Sequence, residues 1–212
     1  MLPEYTHTER LIDGAVHVLG VIMSVVAIAV LLHIVIPSGD AVLISAATMY
    51  SVGLVAMFSL SATYNLTIDR KWKEAVRRYD HAAIFIMIAG TYTPFALVGI
   101  GGSVGHDLLA LVWLVAIIGV LLKMFWPRRF ERASLLLYLA LGWIGLVAVN
   151  SIIAALPISS LVLLGLGGIL YTVGIMFHVW TRLPYHNAIW HTFVLVAAGC
   201  HYLSVLETIL AS

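Results

Sequence analysis

Four short constellations in this chain of 212 residues carry groups that can hold a metal ion or move a proton. Asn187 and His191 stand four residues apart in LPYHNAIWHTFVLVAAGCHYL, about one helical turn, so both face the same side of a helix. Ser61 and Asn65 repeat that spacing in SLSATYNL, and Asp80 and His81 are adjacent in RRYDHAAIF. Glu9, Asp13 and His17 follow one another at i, i+4 and i+8. Carboxylates and imidazoles in such patterns serve as metal ligands or general bases, and the amides beside them as hydrogen-bond partners. Which role applies depends on where the helices bring them.

Those helices lie in a membrane. The chain is 62% hydrophobic and only 10% charged, against about 25% charged in soluble domains. A single cysteine, Cys200, rules out an intramolecular disulfide. No cleavable leader is expected, because the first apolar run is too long for one. A spanning helix needs about 20 apolar residues, and charge-free intervals supply them. The stretch 133–181 lacks Asp, Glu, Lys and Arg altogether. As one helix it would run about 73 Å, more than two bilayers' worth of hydrocarbon, so it must turn. ALPISS, with Pro157, is the natural turn. The expected fold is all-α: one domain over 1–212 with seven spans near 14–36, 41–66, 81–100, 107–126, 133–155, 159–181 and 187–208.

With seven spans, all 11 Lys and Arg residues fall on the side of the N-terminus. They are Arg10, the group from Arg70 to Arg78, then Lys123, Arg128, Arg129 and Arg132, and finally Arg182. The opposite loops hold Asp40 and Asp107, with Glu207 near the C-terminus. The positive-inside rule therefore puts the N-terminus in the cytoplasm and the C-terminus outside. That is the reverse of G-protein-coupled receptors and argues against that class. All four constellations then share one layer at the cytoplasmic ends of their helices, a candidate site.

Blander roles compete for the same residues. Glu9 and Asp13 complement a helix dipole, Asp80 suits an N-cap, and the Ser61 hydroxyl suits its own backbone. His7, His33, His106 and His186 read as interfacial, whereas His178 is open to either role. Trp72, Trp113, Trp126 and Trp190 read as belt residues, Trp143 as a packed one, and Lys123 as a snorkelling one. Tyr92, Thr93 and Pro94 read as a packed, proline-kinked segment. His201 lies ten residues beyond His191, about 15 Å deeper, and cannot share its coordination shell.

Taken together, TERLIDGAVHVLG, SLSATYNL, RRYDHAAIFIMIAGTYTPF, YLALGWIGL, LLGLGGILYTVGIMF and LPYHNAIWHTFVLVAAGCHYL resemble the bacterial hemolysin III proteins. These group with the progestin and adipoQ receptors and, more distantly, the alkaline ceramidases. The resemblance covers nearly the whole chain in order. It implies a zinc site near the cytoplasmic face, built from Ser-x3-His in helix two, an Asp opening helix three and His-x3-His opening helix seven. Ser61, Asp80 and His191 match that pattern, and Glu9 matches the family's helix-one Glu. Asn65 and Asn187 stand where two ligand histidines are expected, and Asp13 replaces a usual Asn. By resemblance, Asp80 and Ser61 are the catalytic positions and His191, Asn65 and Asn187 the metal positions.

An amide oxygen is a weak, hard donor for zinc. The two substitutions should weaken or abolish zinc binding unless His186, His17 or His81 is recruited. The expected state is a hydrogen-bonded, metal-free core of Asn65, Asp80, Asn187 and His191. Two functions follow as expectations. One is a receptor-like or membrane-homeostasis protein that binds lipid. The other is a zinc-dependent hydrolase of lipid amides or esters, with Asp80 as base and Ser61 orienting the water. Membrane permeabilisation has no physical support from one compact apolar bundle. The expected partners are membrane lipids and a lipid substrate or ligand, with no nucleic acid, in a bacterial inner membrane. Oligomeric state stays open.

Overall fold

A computed structural model of the chain describes residues 6–126, 129 and 131–212. Arg128, one of the cations counted above, lies outside the described residues, as does the side chain of Arg132. The helices are α1 (His7–Val35), α2 (Ala41–Leu66), α3 (Arg70–Pro94), α4 (Gly102–Phe125), α5 (Glu131–Gly142), α6 (Val149–Ala155), α7 (Ile158–Val179) and α8 (His186–Leu210). Seven segments are long and apolar enough to cross a membrane, with α5 and α6 forming the fifth together. Among the described residues there are no strands.

The ends of these helices follow from local chemistry. Thr6 and Glu9 form a reciprocal capping box at the start of α1: the Glu9 amide donates to Thr6 Oγ1 at 3.2 Å and the Thr6 amide to Glu9 Oε2 at 2.8 Å. Asp40 caps α2 by accepting from the amides of Val42 at 2.7 Å and Leu43 at 3.1 Å. Asp69 does the same for α3 through Lys71 and Trp72. That cap is why α3 begins at Arg70, well before the apolar interval from residue 81. Its basic first turns are an amphipathic extension that a count of charge-free residues does not see. At its other end the helix runs through Pro94 and continues as a π-helix, Phe95–Ile100, the kind of local adjustment that rehouses backbone groups freed by proline. The fifth span is interrupted by a 3₁₀ turn, Ile144–Ala148. Tyr92 holds that break: its hydroxyl donates to the Gly142 carbonyl at 2.7 Å and accepts from the Gly145 amide at 3.0 Å. The turn at ALPISS falls between α6 and α7, with Pro157 preceding the first residue of α7.

Spans that are neighbours in sequence pack against each other, and α8 closes the ring against α1. The seam between α6 and α7 is the sparsest. In lipid there is little hydrophobic gain from joining helices, so close packing and small residues carry the association. Glycines supply the notches. Gly53 of α2 approaches the backbone of Ile86 and Met87, and Gly90 of α3 approaches that of Met49 and Tyr50. A Cβ at Gly90 would lie 2.9 Å from the Met49 carbonyl oxygen. Elsewhere rings fill the notches: Phe58 against Gly20, Phe85 against Gly119, and Trp190 against Gly174. The outer surface is apolar, with residues such as Leu11, Ile22 and Val26 of α1 exposed.

Candidate functional site

The start of α8 meets α1 through Asp13. His191 Nδ1 donates to Asp13 Oδ1 at 2.6 Å, and Asn187 Nδ2 donates to Asp13 Oδ2 at 2.9 Å. Both contacts are possible because Asn187 and His191 share one helix face. Asn187 Nδ2 also reaches Asn65 Oδ1 at 3.4 Å. Asn65 in turn donates to the Ser61 carbonyl at 2.9 Å. One turn beyond Asp13, the imidazole of His17 is buried at 3% exposure, with Nε2 3.6 Å from Asp13 Oδ2. Its ring lies 4.2 Å from that of His191. Asp13 is thus the hub of the cluster and is itself buried. This is more than a helix-dipole residue does.

Asp80 lies beside Ser61, with His17 and Arg77 nearby. Its carboxylate is 4.0 Å from His81 Nε2. The Tyr138 hydroxyl donates to the His81 carbonyl at 2.8 Å, tying α5 to this corner. Ser61, Asn65, Asp80, Asn187 and His191 therefore border one region, as their shared depth implied, with Asp13 and His17 between them.

Several side chains differ from their sequence reading. His186 is buried rather than interfacial. The reason is the loop before α8. Tyr185 adopts a left-handed conformation with φ of 59°, and its amide donates to Glu9 Oε1 at 2.9 Å. That folds the start of α8 inward over α1. Lys123 does not snorkel outward: it is buried and borders the interior cavity, as does His81. Trp113 and Trp190 are partly buried rather than belt residues. Trp113 Nε1 donates to Thr93 Oγ1 at 3.1 Å, and Trp190 packs on His178. Trp143, read as packed, is 38% exposed but donates to Thr172 at 3.1 Å. The partner that His201 needs is the Leu164 carbonyl, 3.2 Å from Nε2, with the Tyr171 ring alongside.

The cluster around Asp13 borders an interior cavity of about 2420 Å³. Asp13, His17, Ser61, Asp80 and His191 line its polar end. Ile152, Leu161 and Leu164 line its apolar body. Along α7 the lining runs from Leu161 to Val179, about 27 Å of helix. Small-molecule sites are commonly about 300–1,000 Å³, so this cavity suits a ligand with a long tail. Leu146, Ile153 and Val162 line it while being 59%, 59% and 63% exposed. They flank the sparse seam between the fifth and sixth spans.

At the three ligand positions implied by resemblance, the donors do not fit zinc. Both Asn side chains spend an N–H on neighbours, and Asn65 Oδ1 already accepts from Asn187. Only His191 offers an imidazole there, and a zinc site normally has three His, Cys or carboxylate donors.

The closed ring of seven apolar helices around a polar-ended cavity defines an integral membrane protein with a buried Asp/His/Asn cluster. The family model for haemolysin-III related proteins matches residues 5–202, and the chain belongs to that family. It is 36% identical over 202 residues to "Hemolysin-3 homolog" of Bacillus subtilis (strain 168), covering 95% of each chain. It is 37% identical over 202 residues to "Hemolysin-3" of Bacillus cereus, covering 95% of this chain and 92% of the relative. The human "Monocyte to macrophage differentiation factor" is 27% identical over 168 residues, 75% of this chain and 68% of that one.

Proposed function

We propose that the chain is a receptor-like or membrane-homeostasis protein that takes a single-chain lipid amphiphile into its interior cavity. The carrying observation is the cavity itself, about 2420 Å³ and running from a polar cluster into an apolar body. The tail lies between the fifth and sixth spans, where exposed Leu146, Ile153 and Val162 offer entry from the bilayer. The head sits near Asp13, Asp80 and His191. Arg10, Arg70, Lys71 and Lys73 line the mouth on that side, so an anionic group on the head is favoured at the mouth, with its hydrogen-bonding part toward the cluster. The distribution of Lys and Arg orients the N-terminus to the cytoplasm, in a bacterial inner membrane. Native mass spectrometry of the purified protein tests the reading. One amphiphile is expected to co-purify and to be displaced by Gly165→Phe. Gly165 borders the cavity, and a Cβ there meets nothing within 4 Å. Wild-type protein free of lipid adducts under gentle release would overturn the proposal.

A second reading, hydrolysis of a lipid amide or ester, is favoured by Asp80 and Ser61 facing each other at the polar end of the same cavity. Asp80 would take a proton from water and Ser61 would orient that water. Fatty-acid release by wild-type protein, abolished in Asp80→Asn, separates this reading from simple binding.

A further inference from the structure

The buried cluster contains a different donor set from the one the family resemblance implies. Among the described residues, Asp13, His17 and His191 each offer a ligand atom, and the three atoms lie within 4.8 Å of one another. We infer that this chain binds a divalent cation of the Zn²⁺ type at Asp13, His17 and His191, with two of the three ligands supplied by α1.

Four observations point there. Two imidazoles and a carboxylate are a complete three-ligand set for zinc, leaving a fourth position for water or substrate. All three residues line the cavity, so that fourth position is reachable. His17 Nε2 is a buried polar atom without a hydrogen-bond partner, although buried polar groups are nearly always satisfied. Its 3.6 Å separation from Asp13 Oδ2 is too long for a good hydrogen bond. It is close to the roughly 3.3 Å between two donors on one tetrahedral zinc ion.

The 2.6 Å contact between Asp13 Oδ1 and His191 Nδ1 is shorter than that because a proton joins these atoms. A metal ion takes the place of that proton, which leaves to solvent, and the pair opens by a fraction of an ångström. Asn187 and Asn65 then act as positioning residues. The Asn187 amide holds Asp13 Oδ2, and Asn65 Oδ1 accepts from Asn187, so the amides orient the carboxylate instead of binding metal. On this view the exchange of two histidines for asparagines accompanies a shift of the metal toward α1. The inference stands whether or not the cavity holds a lipid.

The test is metal binding by the full chain in detergent or nanodiscs, with Zn²⁺ and Co²⁺ as probes. About one Zn²⁺ per chain is expected. His17→Ala and Asp13→Ala should each weaken it by about 100-fold or more, beyond the range of outer-shell changes. Asn65→Ala should weaken it by only about 10-fold. X-ray absorption of the wild-type Zn²⁺ form supplies a readout that no variant's folding can affect, and it should show two imidazoles and oxygen neighbours. Three outcomes would each overturn the inference: no stoichiometric Zn²⁺, wild-type affinity in folded His17→Ala, or a one- or three-imidazole spectrum.

Discussion

Asp13 of α1 and His191 of α8, 178 residues apart, are joined by a 2.6 Å hydrogen bond in the interior of the bundle. This contact closes the ring of helices at its polar end, because α8 is the last span and α1 the first. The same carboxylate also takes the Asn187 amide, so one side chain anchors both Asn187 and His191 on the inner face of α8.

Removing that carboxylate leaves two buried donors without their acceptor. Asp13→Ala is expected to lower stability by about 2–6 kcal/mol, since each stranded group costs about 1–3 kcal/mol. Thermal unfolding in a fixed detergent measures it. An unchanged midpoint would mean the contact contributes nothing to holding α1 against α8.

The two asparagines can be tested as lapsed zinc ligands. The double substitution Asn65→His with Asn187→His restores the three-imidazole pattern implied by the family resemblance. Zinc bound by this variant is expected to persist when His17→Ala is added, because the ligands would then come from α2 and α8. Elemental analysis of the triple variant reads this directly. Loss of zinc on removing His17 would show that the restored histidines do not form a site.

Glycines that touch backbone should differ sharply from those that face the cavity. Gly90→Ala places a Cβ 2.9 Å from the Met49 carbonyl oxygen, whereas Gly165→Ala meets nothing within 4 Å. The first is expected to cost about 1–3 kcal/mol by forcing α2 and α3 apart, and the second to be neutral or slightly stabilising. Unfolding of the two variants in parallel checks the contrast. Equal effects would count against the close packing of α2 on α3.

The seven spans were legible because charge is nearly forbidden in hydrocarbon, so intervals without Asp, Glu, Lys or Arg mark the helices directly. The start of α3 was not, because Arg70 to Arg78 form helix outside that rule and depend on the Asp69 cap. The π-helix after Pro94 and the break at Ile144–Ala148 were also hidden. The break depends on contacts between helices, Tyr92 with Gly142 and Gly145. Ser61, Asn65, Asp80, Asn187 and His191 could be placed at one depth from topology alone. Their partners could not, since helix order around the ring is not written in any local pattern. Asp13 and His17 shared a stripe with Glu9, but a carboxylate near a helix N-terminus has a simpler explanation in the dipole. Only the packing of α8 on α1 separates the two: Glu9 holds the Tyr185 amide, while Asp13 enters the cluster. Lys123 and His186 were misplaced for a related reason, since the interior cavity accepts polar groups that sequence assigns to the interface.

The central claim, that the cavity holds an amphiphile with its head at the Asp13 end and its tail between the fifth and sixth spans, is most directly tested by photo-crosslinking. A fatty acid carrying a diazirine near its tail would be irradiated with the protein in nanodiscs, and the labelled residues mapped. The expected result is labelling at Ile152, Leu161 or Leu164 in the apolar body, competed by excess unlabelled fatty acid and lost in Gly165→Phe. Labelling confined to outward-facing residues such as Ile22 and Val26, unaffected by competitor, would contradict it.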